Sequence, residues 1–155
     1  MTVVAYSTLD AQQQLLDSMT QAAGHISVAI ASLSEAYEIL DEQTADRMEE
    51  QLFRPVQAAY GRIQRAHADF AAQHGLPAAE FSPAIAGAPS MGARGFLDAS
   101  AAAISQADLT LATLQDSMLP VEVGDPELRA GLEQVRELLG HFGARARELE
   151  RTLGR

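Results

Sequence analysis

Apolar residues recur along this chain at helical spacing in four long stretches. In the first, steps of seven from Leu9 give Leu9, Leu16, Ala23, Ile30 and Tyr37, and steps of seven from Gln12 give Gln12, Met19, Ile26, Leu33 and Leu40. These interleaved columns, apolar but for Gln12, form one stripe on a helix of about 30 residues, and such a stripe must be buried against other helices. The second stretch places Ala45, Met48, Leu52, Val56, Ala59, Ile63, Ala66 and Phe70 on one face. The third places Leu97, Ala101, Ile104, Ala107, Leu111, Leu114 and Met118, and the fourth Leu128, Leu132, Val135, Leu139, Phe142, Ala146, Leu149 and Leu153.

Capping and breaking residues set the ends. Ser7, with Asp10 three residues on, is a weak start signal for the first helix, and Asp41-Glu42-Gln43 is a polar break after it. Pro55 falls inside the second stripe without changing its phase, which predicts a kinked helix over two shorter ones. Gly75 fits a left-handed C-cap, with Pro77 beyond it. Pro120 ends the third helix. Asp125, Pro126 and Glu127 are the best helix start in the chain: an N-cap oxygen, a pre-set first φ and a favourable charge in the first turn.

Helices over 8–40, 42–74, 95–119 and 125–153 follow, with a loop over 76–94. The fold class expected is all-α: one domain over 1–155, an antiparallel up-down four-helix bundle made of two helical hairpins joined by a long Pro/Gly-containing loop. That loop carries Leu76, Phe81, Ile85 and Met91, which a free linker would avoid, so it is expected to fold back over one end. If Asp41 fails to break the chain, the first two helices merge and a domain-swapped dimer results.

Composition narrows function more than fold. The 155 residues include no cysteine, so disulfides, thiolate metal sites and cysteine nucleophiles are out. All 11 basic residues are arginine against 21 acidic ones, a net charge of −10. A chain this acidic repels phosphate backbones, so no nucleic-acid partner is expected. The alanine-rich, lysine-free composition points to a bacterial, GC-rich coding bias. No secretory leader and no membrane span is legible, so a cytoplasmic location is the default expectation.

Candidate chemistry is sparse. A Glu-x-x-His pair would mark a di-metal site, but Ala22, Gln64, Ala71 and Leu138 stand three residues before His25, His67, His74 and His141. His25, His67 and His141 fall beside or outside the seams and read as boundary or surface residues. His74 suits a helix C-terminus. Met19, Met48, Met91 and Met118 read as core filler and not as haem ligands. Gly92-Ala93-Arg94-Gly95 is a weak candidate for anion binding at a helix N-terminus. Glu35, Glu38, Asp41, Glu42, Asp46, Glu49 and Glu50 crowd the first turn-around, whereas Arg145, Arg147, Arg151 and Arg155 crowd the tail. Up-down order would set these clusters at opposite ends.

No catalytic residue, metal site or cofactor is therefore expected. The leading expectation is a non-enzymatic bundle acting through protein–protein contacts, most simply as a homo-oligomer, because Leu15, Ile39, Phe53, Leu109 and Leu138 flank the stripes and widen the apolar faces. The alternative is a small-molecule-binding or sensory bundle whose pocket, between helices or under the 76–94 loop, is lined by Tyr37, Tyr60, Phe81 and Met91. A metal or redox bundle is the reading with least support.

Overall fold

The fold, taken from a computed structural model, is described for residues 2–88 and 91–153, with side chains from residue 8 onward. It is all-helical, with no strand among these residues: α1 (Thr2–Ile39), α2 (Glu42–Met48), a π-helical turn (Glu49–Phe53), α3 (Arg54–His74), α4 (Gly92–Asp116), α5 (Leu119–Glu122), α6 (Pro126–Leu139) and α7 (Phe142–Leu153). No helix among the described residues is long and apolar enough to cross a membrane.

The caps expected at Gly75 and Asp125 form, and the polar break at Asp41 proves to be an N-cap as well. Asp41 accepts from Thr44 N at 2.9 Å, and the backbone and hydroxyl bonds from Thr44 hold its carboxyl below the usual range. This break separates α1 from α2, so the merged helix does not arise. Gly75 adopts φ 68° and ψ 31° after α3, where a side chain would be strained. Asp125 Oδ1 accepts from Leu128 N at 2.8 Å at the head of α6.

Several boundaries move. The first helix starts at Thr2, well before Ser7, because helical backbone continues through the opening residues. The second rod stays helical through Pro55. The preceding turn widens to i→i+5 bonding, with Arg54 N bonded to Glu49 O, and Pro55 enters α3 in its first turn. Proline's missing N–H leaves Gln51 O without its helical donor, and Arg145 Nη1 reaches it at 3.4 Å. The fourth rod is interrupted at Gly140-His141, yet Leu139 and Phe142 stay buried on one face. The third helix runs 92–116 and not 95–119, so Met118 leaves the stripe: it sits past the helix end at φ 68°, 48% exposed.

Most other stripe positions are core, with Leu9 and Tyr37 left exposed. Leu16, Met19, Ala23, Ile26 and Leu33 are fully buried, as are Met48, Leu52, Val56, Ala59 and Ile63. A further α1 column, Leu15, Ala22, Ala29 and Ala36, is also 0% exposed. Leu15 is thus core and not surplus, and Phe53 and Leu138 are half-buried, leaving Ile39 and Leu109 exposed as expected for free surface.

α1 packs most extensively on α4, and α3 on α6. Gln12 Nε2 donates to Val123 O at 3.2 Å, just beyond the end of α4, and Gln14, Asp17 and Ser18 border Gln106, Thr110 and Thr113. α4 therefore runs antiparallel to α1, which corrects the up-down order: there the third helix would run parallel to the first. α3 and α6 are also antiparallel, with His74 at Asp125 and Arg62 Nε 2.6 Å from Gln134 Oε1. Arg136 joins α6 to α4 through Asp108 at 2.9 Å and Gln115 at 2.8 Å.

The loop after α3 makes this order possible. It runs lengthwise instead of covering an end, with Phe81 against His67 and Ala84 N donating to Ser27 Oγ at 2.9 Å. Residues 75–91 can reach about 56 Å when extended, and the α4 they must travel beside is about 38 Å long. The same path overturns the expected axial separation of charge. Arg94, Arg147 and Arg151 gather at the end that holds the acidic α1–α2 turn, since α7 finishes beside the start of α4. Arg155 lies outside the described residues.

Candidate functional sites

Of the four residues expected to line one pocket, the structure brings no two together. Tyr37, 40% exposed, lines a groove with Ser34, Glu38, Glu49 and Phe53. Tyr60 is half-buried against the core. Phe81 covers His67. Met91 is 37% exposed and nests between Gly87 and Gly95, where an added Cβ would meet its side chain at 2.5 and 2.8 Å.

Three places remain that could do chemistry or bind. The first lies under the loop. His67, expected at a boundary, is 2% exposed, because Phe81 closes on it edge-to-face with ring centroids 5.4 Å apart. Its Nδ1 is buried without a hydrogen-bond partner among the described residues. Burial lowers the imidazole pKa by penalising the cation, and the charge of Asp17 on α1 works the other way. The apolar loop residue Phe81 is the sequence signal for this burial, but only the loop's path connects the two. His74 does sit at the end of its helix, where it stacks on Phe70 at 4.2 Å and meets Asp125 at 3.3 Å.

The second place is a basic groove of about 350 Å³ lined by Arg94, Arg147, Glu150 and Arg151. Arg94, the candidate for anion binding, is turned onto the last turns of α7, with Nη2 3.1 Å from Glu150 O. Burial and a hydrogen bond with Asp98 push the Glu150 carboxyl up to about 7, against the pull of Arg94. Glu150 is the one carboxyl that lines the groove beside its three arginines.

The third is the Tyr37 groove, about 300 Å³ between α1 and the π turn. Glu49 and Phe53 are the first and last residues of that turn. Sequence reasoning missed Phe53 as a lining residue, though a signal existed: the stripe steps 48, 52, 56 take two fours in succession where threes and fours otherwise alternate, and the extra residue is the π turn.

No three His, Asp or Glu side chains among the described residues converge as metal ligands would. Comparison with protein-family models, with curated proteins and with solved structures finds no match to this chain.

Proposed function

We propose that the protein works by associating with another protein surface, in the first place a second copy of itself, and that its four rods (α1; α2 through α3; α4; α6 with α7) close into an antiparallel four-helix bundle that displays this surface. The observation that carries the reading is the apolar end at the α4–α6 connection. Met118 holds a left-handed backbone conformation that costs a non-glycine residue about 1 kcal/mol or more, and its side chain is 48% exposed. Val121 beside it is 57% exposed, and Leu9, one turn from Gln12 and its bond to Val123 O, is 48% exposed. Strain that holds apolar side chains in water is most simply explained by a partner that covers them.

Light scattering on the purified chain, with circular dichroism as the folding control, tests the reading. The wild type is expected to be a dimer or higher oligomer, and the double variant Met118→Glu, Val121→Glu a monomer of unchanged helicity. A wild type that stays monomeric over its soluble concentration range overturns the proposal.

A further inference from the structure

Far from the apolar end, the groove beside the α1–α2 turn has a chemistry of its own. Its walls are two aromatic rings, Tyr37 and Phe53, and two carboxylates, Glu38 and Glu49. Neither carboxylate belongs to an ion pair among the described residues, where the pairs formed are His74–Asp125 and Arg136–Asp108. Ser34 donates its hydroxyl to Ile30 O at 2.9 Å, which leaves its oxygen as an acceptor. Unpaired negative charge, aromatic surface and acceptor oxygens together are the recognition set for an organic cation. They do not suit a metal ion, which needs several oxygens converging on one point.

The backbone supplies an independent reason to take the groove seriously. Glu49 and Phe53 reach it from opposite ends of the π turn, a form of helix that is rare and concentrated at functional sites. Its freed carbonyl, Gln51 O, is held by Arg145 from α7. That bond ties the turn to the last rod. A volume of about 300 Å³ is at the small end of ligand pockets, enough for a compact ion.

We propose that this groove binds a small organic cation of the quaternary alkylammonium class, with Glu38 and Glu49 balancing its charge and Tyr37 and Phe53 contacting its methyl groups. The proposal is independent of the association reading and concerns the opposite end of the molecule.

Choline is the probe. The amide NMR spectrum is followed as choline chloride is added at constant total chloride, with a parallel titration by the neutral isostere in which a tert-butyl group replaces trimethylammonium. Saturable shifts confined to residues 34–38 and 49–53, absent with the alcohol, are expected. The Glu38→Gln, Glu49→Gln variant and, separately, Tyr37→Ala should each weaken binding about tenfold. Both leave buried packing alone, and unchanged helicity confirms their fold. Shifts that never saturate, equal binding of the alcohol, or full affinity in the carboxamide variant would each overturn the proposal.

Discussion

The two flanks of α1 are packed by different means. Toward α4, Leu15, Ala22, Ala29 and Ala36 form a column of mostly small residues, with Ser18 of the α1–α4 groove between Leu15 and Ala22 on the same face. α4 answers with Ser100, Ala103 and Ala107, all buried. Small side chains on both helices let the backbones approach at the buried centre of this contact, while Gln14, Asp17, Ser18, Gln106 and Thr110 border a groove along it. Toward α3, the partner rod carries a π turn, a buried histidine and a covering loop, and the seam opens at one end into the Tyr37 groove. The two flanks differ in what lines their openings: the groove beside α4 carries mostly amide and hydroxyl side chains, whereas the Tyr37 groove sets aromatic rings beside carboxylates.

The largest expected effect tests the buried small-residue column. Ala29→Leu adds volume where no space exists and should lower stability by about 1–3 kcal/mol in urea unfolding. A near-neutral result would mean that the α1–α4 seam is as open as the other.

Phe81→Ala probes the opposite flank. It should cost about 1–2 kcal/mol, the value of a half-buried aromatic ring, and it should change the pH dependence. Because burial keeps His67 neutral in the folded chain, the unfolded chain binds more protons as the pH falls through the ordinary imidazole value of 6.5. Stability therefore rises with pH through the window between the lowered folded value and 6.5, and is lost on acidification through it. Hydrating His67 in Phe81→Ala should flatten that acid slope in a series of thermal melts. An unchanged slope would show that the acid sensitivity comes from elsewhere.

The smallest effect concerns the face of α1 that neither flank uses. Gly24 is exposed, and nothing lies within 4 Å of an added Cβ. The close helix contact that often explains a mid-helix glycine is thus absent, and Gly24→Ala should stabilise the fold by about 0.8–1 kcal/mol in the same urea assay. A loss would place an unseen contact on that face.

Much of the helical order was legible along the chain. The four stripes, the break at Asp41, the cap at Asp125 and the glycine stop at Gly75 all depend on residues within a few positions of one another. Met118 escaped because a helix end is decided by one φ angle, not by the apolar period that carries across it. The candidate site was less legible. Tyr37 was named, but beside Tyr60, Phe81 and Met91, which lie elsewhere; its actual neighbour Phe53 looked like spare apolar surface. His67 looked like a boundary residue because its wheel position is set by α3, whereas its burial is set by Phe81, fourteen positions along in the loop.

By itself, the sequence determined that the chain is all-helical, where most rods begin and end, and which face of each is buried, since period, capping and backbone restriction act locally. Tertiary structure alone decided that α4 runs against α1, that acidic and basic clusters share one end, and that Tyr37 meets Phe53 while Phe81 seals His67. The physical reason is the loop between α3 and α4. Its reach allows either direction for the second half of the chain, and the choice rests on contacts between residues distant in sequence, such as Ala84 with Ser27, that no local pattern encodes.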